Sequence, residues 1–237
     1  MKAFILGSGF GTRLYPLTKV IPKTLIEVKG KPMLGHILEN LDKSKQIDEI
    51  YIGYNIKFEK QFKYFLRNFK SKKKIELVTN KTISESPSSI GAINSFVKLK
   101  NIQEDLLILA GDSLFDFDVD KFINFHKKRD DTCVAIYDIK DKKRVVKKYG
   151  VVELDKIGKI IGFEEKPEHP KTSLVATLCY ILSTYDLHHL DKKAFKENAG
   201  ELIEHLIDHE DVFGFLFDGK WFDIGTREDL ERARKEF

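Results

Sequence analysis

Apolar residues along this chain alternate between two rhythms, and the changes of rhythm mark its elements. Ala3–Leu6 is a short apolar run closed by glycine and predicts a strand. Met33, Ile37, Leu38 and Leu41 fall at helical spacing, so a helix is expected to open at Pro32 and run to about Lys43. Ile50–Gly53 reads as strand, and Phe58, Phe62, Phe65, Leu66 and Phe69 mark one helix face, expected to be core. Ile75–Val78 predicts a strand, Ile90–Leu99 a helix, and Leu106–Ala110, apolar on both faces, a central strand of a largely parallel sheet.

Beyond a helix over Asp118–Lys128 the pattern changes. Cys133–Tyr137, Gly150–Leu154, Ile160–Glu164 and Leu174–Leu182 predict successive strands, with a hairpin turn at Asp155–Gly158. Helices are expected again over Tyr185–Leu190 and Gly200–His209, then a strand at Val212–Phe217. A final helix starts at Thr226, with Asp229 in capping-box spacing. Strands alternating with helices argue for a doubly wound α/β fold. No linker or repeat divides the chain. One domain is expected: a nucleotide-type half over about 1–130 and a β-rich half over about 131–237.

Composition narrows the class. With 237 residues, 42% hydrophobic and 33% charged, the chain reads as an ordinary globular protein with room for a full core. No apolar run reaches membrane-span length, and the start lacks a signal-peptide pattern, so no membrane partner is expected. Cys133 and Cys179 are too few for a disulfide framework, and a reducing cytoplasm is the default expectation. Lys70–Lys74 and Lys140–Lys148 are basic runs without a nucleic-acid-binding motif, so solvated turns and strand ends are expected and no nucleic acid.

The chemistry concentrates in a few places. GSGFGTR at residues 7–13 follows the first strand and runs on to Lys23. It is neither the dinucleotide fingerprint, because Thr12 stands where the third glycine belongs and Pro16 breaks the following helix, nor a P-loop. Gly7, Gly9 and Gly11 leave backbone N–H groups open to phosphate oxygens, and Arg13 and Lys23 add two cations, which suits a triphosphate. Asp112 ends the LAGD segment past the central strand, and Asp223 lies in WFDIGT; two such carboxylates form a candidate Mg²⁺ pair. YGVVE and FEEKP bring Gly150, Glu165 and Lys166 to adjacent strands, where Glu165 can accept from sugar hydroxyls and Lys166 can meet an anion. An exposed Glu–Lys run is the plain alternative.

GSGFGTRLYPLTKVIPK, LAGD, YGVVE, GFEEKP and WFDIGT, in this order, resemble the sugar-1-phosphate nucleotidyltransferases, across nearly the whole chain. The resemblance implies a Rossmann-like three-layer α/β/α fold with a mixed, mostly parallel central sheet. It implies the reaction NTP + sugar 1-phosphate → NDP-sugar + pyrophosphate, with Mg²⁺, in a protein that self-associates. By motif position, Gly7, Gly9, Gly11, Thr12, Arg13 and Gly91 bind nucleotide; Arg13, Lys23 and Asp112 carry catalysis; Asp112 and Asp223 hold the metal. Gly150, Glu165, Lys166 and Thr177 bind the sugar phosphate.

Two departures leave base and sugar open. SSIGAINSF keeps Gly91 but has Ala92 and Asn94 where the family's base-contacting segment differs, and VATLCYIL has Leu178 in place of a glycine while keeping Thr177 and Tyr180. Glucose 1-phosphate with dTTP or UTP is the expected pair, with mannose or heptose 1-phosphate and GTP close behind. No hexapeptide repeat precedes Phe237, so no appended acyltransferase activity is expected. The rival readings are a cytidylyltransferase for a non-sugar phosphate such as phosphocholine and a non-catalytic nucleotide-sugar-binding paralogue. His205 and His209 lie one helical turn apart but lack the glutamate of H-E-x-x-H, so no zinc site is expected there.

Overall fold

The computed structural model describes residues 1–79, 88–191 and 199–237. The chain divides into two compact units, both discontinuous in sequence. The first is drawn from Met1–Pro87, Leu109–Asp120 and Gly219–Phe237, the second from Ser88–Ile108 and Lys121–Asp218.

In the first unit the strands Lys2–Gly7, Glu49–Tyr54 and Lys74–Thr79 lie parallel, with Glu49–Tyr54 in the middle. Helix Met33–Lys43 supplies one crossover and buries Met33, Leu34, Ile37, Leu38 and Leu41, the stripe its spacing predicted. The second crossover helix, Glu59–Asn68, departs from expectation. Phe58 and Phe62 are buried, but Phe65 and Phe69 are half-exposed. They stack on one another and line an open groove of about 620 Å³ with Ile21, Leu25 and Tyr64, so only half of the aromatic stripe is core.

A short antiparallel ribbon, Ser113–Phe115 with Trp221–Asp223, completes this unit. The final helix Arg227–Glu236 follows it, capped by Thr226 in a full capping box with Asp229. Leu114, Phe222, Ile224, Leu230 and Ala233 from these segments share one core with Leu14, Ile26, Val28 and Met33. That core fixes the glycine-loop segment, which has no long helix or strand of its own, against the ribbon.

In the second unit the strands run in the order Ile160–Glu165, Gly150–Leu154, Leu174–Leu182, Thr132–Asp138 and Val212–Phe217. The first three pairings are antiparallel and the last is parallel. The expected hairpin turn closes through Gly158, whose φ of +84° suits glycine. Leu174–Leu182 carries a register irregularity between Ala176 and Tyr180. Helix Ser89–Lys100 is capped by the Ser88 side chain, and Ala199–Ile207 is a further helix. The segment expected as helix over Tyr185–Leu190 is instead a 3₁₀ run, Thr184–Asp191. The mixed sheet of mostly parallel strands flanked by helices is the α/β class expected from the sequence. No helix among the described residues is long and apolar enough to cross a membrane.

His126 ties the second unit together. Its Nε2 meets Asp105 Oδ2 at 2.9 Å and its Nδ1 meets the Asp131 carbonyl at 2.9 Å, while Asp105 Oδ1 accepts from the Thr184 N–H at 2.9 Å. Burial opposes charge on the ring, but the hydrogen bonds to Asp105 and Asp131 outweigh it and hold the His126 pKa above 6.5. The His126 hydrogen bond lowers Asp105 below 3.8 against the opposing effect of burial. The histidine's contribution is complete below its unfolded pKa and fades as pH rises through the folded one. The aspartate's holds above its unfolded pKa and fades as pH falls. Thermal melts against pH should therefore show the gap between wild type and Asp105→Asn widest between 3.8 and 6.5 and narrowing above it. A gap that widens steadily into alkaline pH would contradict this.

Candidate functional site

The fold of the first unit brings the amino-terminal loop, Asp112 and Asp223 together. Strand Lys2–Gly7 ends at Gly7, which pairs with Tyr54 at the carboxyl end of the parallel strands. The loop then turns at Gly11, in the left-handed region at φ +59°, where a side chain would be strained. Three short 3₁₀ turns follow, Thr12–Leu14, Leu17–Lys19 and Lys23–Leu25. Gly11 O anchors them by accepting from Leu14 N–H at 2.9 Å and the Thr18 hydroxyl at 2.7 Å. Leu14 and Ile26 drop into the core on either side, so Thr12 and Arg13 are left exposed and Lys23 half-buried.

Lys23 Nζ meets Asp112 Oδ2 at 2.5 Å, with only 11% of the lysine side chain and 31% of the aspartate side chain exposed. An ammonium so nearly withdrawn from water needs an anion, and Asp112 supplies it. Asp112 is held in turn by backbone. The Gly111 N–H donates to Leu6 O at 2.8 Å, and the Ile224 N–H donates to Asp112 O at 3.1 Å. Asp223 sits one ladder step away, opposite Ser113. The two carboxylates, 111 residues apart in sequence (223 − 112), thus stand on neighbouring strand ends. Arg13 lies over Gly225: its Nη1 is 3.4 Å from where a Cβ on that residue would be.

The donor set suits a hard divalent cation. It offers two carboxylates, with Lys23 on one Asp112 oxygen, beside the carboxyl end of a strand where ligands of open α/β sheets lie. Gly9 also fits a phosphate cradle. It is exposed, and a Cβ there would meet nothing within 4 Å, so the fold does not itself require glycine at that position.

The second unit holds the remaining candidates. Gly150 opposes Glu165 in the strand register. A Cβ on Gly150 would lie 3.0 Å from Glu165 Oε2, and one on Gly200 would lie 2.6 Å from the same oxygen. The Glu165 side chain is 31% exposed and pairs with Lys166 Nζ at 3.0 Å, so it is set between two glycines rather than waving in solvent. Lys166 holds φ +49°, strained for a non-glycine residue, and its N–H donates to Tyr149 O at 3.1 Å. Tyr180 is buried near this carboxylate; burial, then the charge of Glu165, push its hydroxyl pKa up. Thr177 is also buried, its hydroxyl donating to Ala135 O at 2.8 Å. Gly91 lies in the first turn of its helix, where its N–H donates to the capping Ser88 hydroxyl at 3.0 Å.

Sequence reasoning did not single out Gly225 or Gly200. Gly225 lay within the quoted WFDIGT segment, but nothing local marks it as the floor under Arg13. Gly200 gives no signal at all, since its role depends on Glu165, remote in sequence.

These features define a Rossmann-like α/β protein with a loop and two carboxylates grouped at strand ends. The crystal structure of UDP-glucose pyrophosphorylase complexed with UDP-glucose has the same fold, with a TM-score of 0.84 at 22% identity over 99% of this chain and 97% of that one. The apo structure of UDP-glucose pyrophosphorylase gives a TM-score of 0.84 at 22% identity over 99% and 96%. The chain belongs to the nucleotidyl transferase family, whose profile matches residues 2–237. It is 31% identical to the bifunctional protein GlmU of Methanocaldococcus jannaschii over 99% of this chain and 54% of that protein. Against UTP–glucose-1-phosphate uridylyltransferase of Synechocystis sp. it is 29% identical over 98% of this chain and 62% of that protein. The chain spans about half the length of the GlmU relatives it matches.

Two glycine substitutions should separate folding from ligand approach. An alanine Cβ at Gly111 would come 2.6 Å from Leu6 O and 2.7 Å from Thr24 Cγ2, so Gly111→Ala should cost about 3 kcal/mol in denaturant melts. Gly9→Ala should stay within about 0.5 kcal/mol of wild type. Equal melting of Gly111→Ala and wild type would contradict the packing described.

Proposed function

We propose that this chain transfers a nucleoside monophosphate from an NTP to a sugar 1-phosphate, releasing pyrophosphate, with Mg²⁺ as its metal. One observation carries the reading: Lys23 paired to Asp112, with Asp223 one ladder step away and Arg13 beside the glycine turn. The named activities of a relative and of a structural neighbour, uridylyl transfer to glucose 1-phosphate and UDP-glucose pyrophosphorylysis, support it.

In this reading Gly7, Gly9, Gly11 and Thr12 offer backbone N–H groups to the triphosphate, and Arg13 grips its outer phosphates. Gly91 contributes a surface without a side chain to the base. An ionised oxygen of the sugar phosphate attacks the α-phosphorus in line. A new P–O bond forms there as the bond from the α-phosphorus to the bridging oxygen breaks, and pyrophosphate leaves with the electron pair. The nucleophile carries its charge already, so no general base is required. The protein contributes alignment and charge stabilisation. Lys23, tethered to Asp112, meets the charge that develops on the phosphates. Asp112 and Asp223 are the residues that would hold Mg²⁺, which supplies charge neutralisation on phosphate oxygens when bound.

For the acceptor, Glu165 takes hydrogen bonds from sugar hydroxyls and Lys166 meets the phosphate. Gly150 lets the Phe163 ring and the Glu165 carboxylate pack close against its backbone. Thr177 acts through its backbone and through the shape it gives its strand, since its hydroxyl is committed to Ala135. Glucose 1-phosphate with dTTP or UTP is the expected substrate pair.

Pyrophosphate release, measured over the five common NTPs and several sugar 1-phosphates, should be greatest for that pair. Release with CTP and phosphocholine but with no sugar phosphate would overturn the reading. Arg13→Ala and Asp112→Asn should each lower turnover by about 10²–10³-fold while leaving the circular dichroism spectrum unchanged. Turnover within twofold of wild type in either variant would remove that residue from the machinery.

A further inference from the structure

Histidine is concentrated in one corner of the second unit. Of the chain's seven histidines, His188, His189, His205 and His209 lie near one another, with Glu210 beside them. The 3₁₀ run Thr184–Asp191 presents His188 and His189, and Glu210 lies just beyond helix Ala199–Ile207. We propose that His188, His189 and Glu210 form a binding site for one zinc-class divalent cation. The site shares no residue with the candidate nucleotide and sugar-phosphate residues.

The distances suit this. A ligand atom from each of the three residues lies within 4.8 Å of the others, and side-chain rotations would bring them to the roughly 3.4 Å that separates tetrahedral ligands about 2.1 Å from one zinc ion. Hydrogen bonding also prepares the lone pairs. His188 Nδ1 is 2.6 Å from Tyr185 O, and a carbonyl only accepts, so the proton sits on Nδ1 and Nε2 keeps its lone pair. His189 is buried and held at both ends, Nε2 by Glu210 Oε1 at 2.9 Å and Nδ1 by His205 Nε2 at 3.0 Å.

Without metal, His189 Nε2–H donates to the Glu210 carboxylate and Nδ1 accepts from His205. With the cation between Nε2 and Glu210, the two imidazoles each move their proton to the other nitrogen. His189 Nδ1–H then donates to His205 Nε2, the outer hydrogen bond that ligating histidines require. The exposed His209 donates Nδ1–H to His205 O at 2.8 Å, which leaves its Nε2 lone pair, or a water, for the fourth position.

Two nitrogen donors and one carboxylate favour zinc-class ions over Mg²⁺, which takes oxygen ligands. The sequence expectation of no zinc site considered only the pair His205 and His209 and looked for a glutamate inside one helix. The fold supplies the carboxylate from Glu210 and makes His205 the outer partner instead.

The test uses the full chain without a histidine tag, titrated with Zn²⁺ against a chromophoric chelator and, separately, with Co²⁺ for visible absorption. Wild type should bind one equivalent, give the intense absorption of four-coordinate Co²⁺ and melt at higher temperature with Zn²⁺ present. His188→Ala, at an exposed position, and Glu210→Gln, close in shape, should each weaken binding at least about 10-fold and abolish the thermal shift. His169→Ala should change nothing. No stoichiometric uptake by wild type, or equal uptake by His188→Ala, Glu210→Gln and wild type, would overturn the proposal. Pyrophosphate release is not its readout, so its failure is separable from failure of the proposed transferase activity.

Discussion

The ion pair between Lys23 and Asp112 is the constraint around which the first unit is arranged. The Lys23 side chain is largely withdrawn from water, and the partly exposed Asp112 carboxylate is its countercharge. Satisfying them requires that a loop from the start of the chain reach the end of the strand Leu106–Ala110. The loop has no long helix to stiffen it, so its shape comes from three 3₁₀ turns hung on Gly11 O and from Leu14 and Ile26 anchored in the core. The same core takes Phe222 and Ile224, which brings Asp223 alongside. Packing of apolar residues thus determines where these charges stand.

The second unit uses a comparable device around Glu165. Two glycines remote in sequence, Gly150 and Gly200, approach one carboxylate oxygen, and Lys166 supplies the countercharge. The local cost is visible in the backbone, since Lys166 adopts a left-handed conformation.

Much of this was legible in the chain itself, for identifiable reasons. Helix Met33–Lys43 and strands Gly150–Leu154, Leu174–Leu182 and Val212–Phe217 follow from periodicity because one face or both are buried. The capping box at Thr226 is local chemistry and is realised as such. The ribbon of Ser113–Phe115 with Trp221–Asp223 was not legible: three residues are too few for a period, and the partners lie more than a hundred residues apart. The aromatic stripe was misjudged at Phe65 and Phe69 because spacing identifies a shared face without saying how far the opposing surface extends. The candidate site residues could be named from their motifs, but the pairing of Lys23 with Asp112, the floor at Gly225 and the glycine at position 200 all depend on tertiary contact. The histidine cluster illustrates the same limit, because its carboxylate and its buried ring come from different segments.

The central claim is that the opening loop and the two aspartates serve one triphosphate and one metal. It is tested most directly by a crystal of the chain with Mn²⁺ and a non-hydrolysable NTP analogue, measured at the manganese absorption edge. The account predicts one anomalous peak between the Asp112 and Asp223 carboxylates at ordinary metal–oxygen distance, with phosphates on the loop from Gly7 to Arg13 and against Lys23. A manganese peak away from both aspartates, or phosphates bound elsewhere with the loop empty, would contradict it.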